Sequence, residues 1–181
     1  MVVFQDLVNN NDYSFIRDTA LPTAGIQKLN DRRLHKDPKK REEFCRCMTE
    51  TVAQLYSHPC ICYWTIFNEG WGQFDSALLT ERVRQKDPTR IIDSVSGWHD
   101  QGISDVKSWH VYFTKYRFTP DKYGRAVVLS EFGGYNYRVE GHSFTERDFG
   151  YKHLIYIPAN EDETDIQILI PIFDQLESDI S

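Results

Sequence analysis

The 181-residue chain carries 21 Lys and Arg against 27 Asp and Glu, a formal net charge of -6, and 40% of its residues are hydrophobic. Its basic residues are scattered rather than gathered into a stripe, which argues against nucleic acid as a partner and fits a neutral substrate. No run approaches the roughly 18 apolar residues of a membrane span, and the amino terminus MVVFQDLVNNNDYSF lacks a basic segment and a cleavage site, so neither a membrane nor secretion is indicated.

In chain order, Val2 to Leu7 is a short apolar run that reads as a strand with Gln5 and Asp6 toward its end. Asp37-Pro38 pairs an N-cap with a proline at the first helical position, and Phe44, Met48, Val52 and Leu55 recur at helical spacing until His58-Pro59. A helix over about 38–57 is predicted. Cys60 to Phe67 is almost wholly apolar, as a strand covered on both faces would be. Asp75 is a candidate cap for a second helix, with Leu78, Leu79 and Val83 on its apolar side and Asp87-Pro88 beyond its end. Arg90 to Val95, Val106 to Tyr112 and Arg125 to Ser130 read as three more strands. Buried strands alternating with helices predict a parallel α/β arrangement, although the connections after Trp98 and Phe113 are shorter than the dozen or so residues of a usual parallel crossover.

The four cysteines form two C-x-C pairs, Cys45 with Cys47 and Cys60 with Cys62, which is not the C-x2-C spacing of a zinc site. They are expected to be small buried apolar residues in a reduced, cytoplasmic setting, and no metal or cofactor is called for.

The stretch TIFNEGWG, residues 65–72, drives an apolar strand straight into an amide and a carboxylate. A buried acid at a strand tip is costly unless it is hydrogen-bonded or doing chemistry, so Glu69 is a candidate functional residue. A second acid, Glu131, closes RAVVLS and is followed by FGGY. Asp6, Asn68, Glu69, Trp98, His110, Tyr112 and Glu131 all fall at or just past the carboxyl ends of predicted strands, the functional face of a (β/α)8 barrel. Two carboxylates facing one cleft are equipment for glycoside hydrolysis, one protonated to serve the leaving oxygen and one ionised to attack the anomeric carbon. Each acid alone reads better as a strand-end group in an ion pair. It is the pair, each with its glycines and aromatics, that favours chemistry.

HPCICYWTIFNEGWGQFD and VVLSEFGGY resemble the two signatures of the catalytic barrel of glycoside hydrolase family 2, the β-galactosidase, β-glucuronidase and β-mannosidase group. The likeness implies an α/β fold of the (β/α)8 TIM-barrel type over residues 1–151. It implies a retaining glycosidase acting on a β-glycoside, with Glu69 as acid/base at strand 4 and Glu131 as nucleophile at strand 7. Asn68 resembles the asparagine that bonds the sugar 2-hydroxyl, and Tyr112, closing SWHVY, the tyrosine that supports the nucleophile. His110, Trp98 and Asp6 are further candidates for contact with sugar, each with a structural alternative: a satisfied histidine, a core tryptophan, a turn cap. If VVFQDLVN is strand 3, about strands 3–7 are present and strands 1, 2 and 8 are missing, with residues 152–181 a divergent tail. An incomplete barrel would expose sheet edges, and copies of the chain are expected to pair through them. The alternative to an enzyme is an inactive barrel remnant that binds a sugar or a partner.

Overall fold

Asp37 and Pro38 start the longest helix of the computed structural model, which describes residues 1–9, 13–26, 30–112, 116–132, 135–136, 141 and 152–153. The helix, α2 (Pro38–Leu55), has the Asp37 side chain accepting from the Lys39 N–H at 2.9 Å and buries Phe44, Met48 and Val52. It ends two residues earlier than the pattern predicts, and Arg90 receives its trailing carbonyls, donating to the Tyr56 and His58 oxygens at 2.7 and 3.0 Å.

Three parallel strands lie in the order β1 (Val3–Asp6), β2 (Ile61–Asn68), β3 (Ile91–Ser96). Parallel pairing sets their carboxyl ends along one edge, so Asp6, Asn68 and Ser96 end on the same side of the sheet. The core lies between this sheet and α2 with α3 (Ser76–Lys86), where Phe44 stacks on Phe67 at 5.0 Å and Phe74 meets both rings edge-on. Burial of a side chain of this size contributes about 1.5–3 kcal/mol. β4 (Val106–Val111) and β5 (Ala126–Phe132) pair with each other. Serine hydroxyls stitch β3 to the segment carrying β4: Ser104 Oγ accepts from the Ser94 N–H at 2.9 Å and Ser108 Oγ from the Gly97 N–H at 3.0 Å.

Two compact units are distinguished: residues 1–110 with 120–130, and residues 111–119 with 131–181. In the second, β6 (Tyr135–Asn136) and β7 (Lys152–His153) pair in parallel. Beyond Lys152 and His153, the segment expected to be a divergent tail lies outside the described residues. The described strands form one three-stranded and two two-stranded sheets and do not close into a barrel. Among the described residues no helix is long and apolar enough to cross a membrane.

Several local expectations change. Leu78 is 53% exposed, so the apolar side of α3 is Leu79 and Val83. Asp75 takes a left-handed backbone (φ 39°) and pairs with Arg41 at 2.7 Å. The cap of α3 is Asp31, whose carboxylate accepts from the Ser76 N–H at 3.0 Å and from Gln73 Nε2 at 3.0 Å. That partner is 45 residues away, beyond any local capping pattern. None of the free cysteines is buried: Cys60 precedes the first residue of β2 and is exposed, and the other three are partly covered. Residues 16–23 form a helical segment, a wide turn Ile16–Ala20 running into α1 (Leu21–Thr23), where no periodicity pointed to one. Pro22 sits in its first turn, where the missing N–H costs nothing.

Candidate active site

β2 delivers Asn68 and Glu69 at its carboxyl end and then turns at once, with Glu69 and Gly70 both left-handed at φ 54° and 72°. Glycine is required at position 70, because a Cβ there would lie 2.7 Å from the His99 ring. Glutamate gains nothing from such a backbone, and a non-glycine residue held at positive φ marks a place where the surroundings dictate the conformation.

Those surroundings are specific. Glu69 is 7% exposed and its Oε1 lies 3.0 Å from His110 Nδ1 on β4, itself 5% exposed. Ser96, at the end of β3, bridges backbone and side chain: its Oγ accepts from the Glu69 N–H at 3.4 Å and donates to Asn68 Oδ1 at 2.7 Å. Behind the imidazole stands Gly97 (φ 70°), where a Cβ would come within 2.6 Å of His110 Nδ1. Trp98 is buried and meets the same ring edge-on at 6.3 Å.

A polar cluster links β2, β3 and the loop before β4. Tyr63 donates to Asp93 Oδ2 at 2.8 Å and Ser104 to Asp93 Oδ1 at 3.2 Å. Burial pushes the Asp93 carboxyl above the usual range, against the opposing hydrogen bonds from Ser108, Tyr63 and Ser104. Burial and the neighbouring Asp93 together push the Tyr63 hydroxyl up. In the second unit, Tyr112 donates its hydroxyl to Glu131 Oε2, and Glu131 is partly buried at the end of β5.

This strand-end arrangement falls almost wholly within residues 5–130, which match the family model described as "Glycosyl hydrolases family 2, TIM barrel domain". The chain belongs to glycosyl hydrolase family 2. Among its relatives is a beta-galactosidase of Klebsiella pneumoniae, 27% identical over 101 residues that make up 56% of this chain and 10% of that protein. A beta-glucuronidase of Bacteroides fragilis is 29% identical over 107 residues, 55% of this chain and 15% of the relative. The chain thus spans only about a tenth to a seventh of the length of these relatives. A beta-glucuronidase of Parabacteroides merdae, known from its crystal structure, aligns with a TM-score of 0.35 and 21% identity over 46% of this chain and 12% of that one.

Within this family 2 chain, the residues singled out from sequence are distributed as follows. Asn68, Glu69, Trp98 and His110 come together in the first unit at the ends of β2, β3 and β4. Tyr112 and Glu131 are in direct contact in the second. Asp6 is exposed at the end of β1, its backbone oxygen accepting from Gln5. Trp71 stacks edge-on with Tyr13 at 5.1 Å. Sequence reasoning missed Ser96, Gly97 and Asp93, which occupy an otherwise ordinary strand and turn. The one local signal was the run of polar residues in IIDSVSG, unexpected for a strand covered on both faces.

Proposed function

We propose that this chain carries the catalytic pair of a retaining glycosidase acting on O-linked β-glycosides of the galactoside or glucuronide type. Family membership supports the reaction class. The observation that carries the residue assignment is the buried Glu69 carboxyl at the tip of a parallel strand, backbone and side chain both held in place.

In the first step the Glu131 carboxylate attacks the anomeric carbon and forms a C–O bond as the glycosidic C–O bond breaks. The departing oxygen takes the proton of Glu69. In the second step Glu69, now ionised, takes a proton from water while the water oxygen displaces Glu131 from the sugar, releasing the free sugar with net retention. Asn68 bonds the sugar 2-hydroxyl, an interaction that strengthens as positive charge grows on the ring. Tyr112 holds the Glu131 carboxylate toward the anomeric carbon, with its hydroxyl as donor. His110 lies at Glu69, and Trp98 packs edge-on against the imidazole. Retention requires the two carboxyl groups about 5–5.5 Å apart.

The test is covalent trapping. Incubation with dinitrophenyl 2-deoxy-2-fluoro-β-galactoside and -glucuronide should add one fluoroglycosyl group, located on Glu131 by peptide mass spectrometry, and Glu131→Gln should abolish it. An adduct on another residue, or none with either sugar, would refute the assignment.

A further inference from the structure

We infer that His110 is the positioning residue of the acid/base, fixing which oxygen of Glu69 carries the catalytic proton; the inference rests on the glycosidase reading above. The geometry is the argument. His110 Nδ1 lies 3.0 Å from the Oε1 oxygen of Glu69, in a pair whose side chains are 1% and 9% exposed. With the proton on Nδ1, the imidazole donates to Oε1 in both charge states of the acid: to a carboxylate oxygen in one, to a carbonyl-like oxygen in the other. Oε2 is thereby left as the oxygen that loses and regains the proton, first to the leaving group and then from water. A carboxyl free to rotate would present either oxygen to the glycosidic bond, and misplacement by about 1 Å costs on the order of a hundredfold.

The imidazole is itself confined. Gly97 leaves room for it where any Cβ would not, and the Gly97 N–H is tied to Ser108 Oγ, two residues before His110 on β4. Trp98 limits the ring from a second side, with its plane at 60° to the imidazole. The Glu69 backbone is confined from the opposite strand by Ser96. Three elements therefore converge on one hydrogen bond: the turn after β2, the turn after β3 and the end of β4. Asp93 also faces this histidine closely enough for the two to interact electrostatically. A histidine that served only the core would need neither a glycine behind it nor a buried acid before it.

Two readouts separate this role from a structural one. With imidazole-15N label in the chain as it stands, the His110 nitrogen signals, assigned by their loss in His110→Asn, should show a protonated Nδ1 whose shift changes in Glu69→Ala. Nitrogen signals that ignore Glu69→Ala would overturn the pairing. In kcat/KM, which reports the glycosylation step alone, His110→Ala should lose about 10- to 100-fold on phenyl and alkyl β-glycosides, whose leaving groups need the acid, and little on dinitrophenyl β-glycosides, whose leaving group departs unaided. His110→Asn, which keeps an N–H near the position of Nδ1, should recover much of the loss. An equal loss of kcat/KM on all leaving groups, with no recovery in His110→Asn, would assign His110 to structure alone. The underlying reading fails by a different sign: Glu69→Ala given a dinitrophenyl glycoside and azide should form the β-glycosyl azide, and absence of that product removes Glu69 from acid/base catalysis whatever His110 does.

Discussion

At Gly97 a single hydrogen atom decides the geometry of the candidate acid. The residue sits at φ 70° and its missing side chain is the space His110 fills. Replacement by alanine therefore combines a backbone cost of about 1 kcal/mol with a forced movement of the imidazole. Gly97→Ala is expected to lower the melting temperature by at least about 2–4 °C and to change the His110 nitrogen signals. Unchanged melting and unchanged signals would show that the ring does not depend on the gap. Glu69 is the complementary case, a residue whose side chain is indispensable to the reading while its backbone, at φ 54°, would suit glycine better. Local propensity is violated where the function is proposed to lie.

Among the elements, the contact of α2, β2 and β3 is organised around Arg90. Its guanidinium donates to the Ile61, Tyr56 and His58 carbonyls and reaches Asp87 Oδ2 at 2.5 Å, which also accepts from the Trp64 indole at 2.8 Å. Burial alone would raise the Asp87 carboxyl, but hydrogen bonds from Thr89, Arg90 and Trp64 outweigh it and hold the value down at about 2. A carboxyl depressed in the folded state stabilises the fold above its ordinary range, near 3.8, and loses that contribution as pH falls toward the folded value. Stability should therefore drop by on the order of 2 kcal/mol between about pH 4 and pH 2 through this group. Asp87→Asn should flatten that part of a denaturant-melt series against pH while lowering stability at pH 7. A series with the same slope in both proteins would place the acid sensitivity elsewhere.

For the molecule as a whole, β1 is an edge: among the described strands it pairs on one side only. Val2 is 72% exposed, Val8 71% and Phe4 49%, an apolar margin along the strand edge. We expect the chain to self-associate through this edge. Sedimentation velocity should show an average size rising with concentration, and Val2→Lys, which places a charge on the edge, should reduce the rise. A concentration-independent monomer would contradict this expectation.

The sequence by itself determined the order of β1, α2, β2, α3 and β3 to β5 and their positions to within a residue or two, and it singled out Glu69 and Glu131 as candidates. Those features are local: hydrophobic period, a capped proline at Pro38, and abrupt polarity at Asn68 and Glu69 after a run, Ile61 to Phe67, that is apolar except for Thr65. It also determined the family, because NEG and SEFGG are contiguous. What it left open was every pairing between distant residues. The cap of α3 by Asp31, the hold of His110 on Glu69, the serine bridges from β3 and the grip of Arg90 on three carbonyls each join segments from 29 to 45 residues apart or link side chain to backbone across strands. Such partners leave no periodic trace, since hydrogen-bond geometry fixes only a final distance and direction and not a sequence spacing. Burial misled for the same reason. Cys60 and Leu78 satisfy the local pattern, and only the packing of α2 and α3 on the sheet decided that neither would be covered.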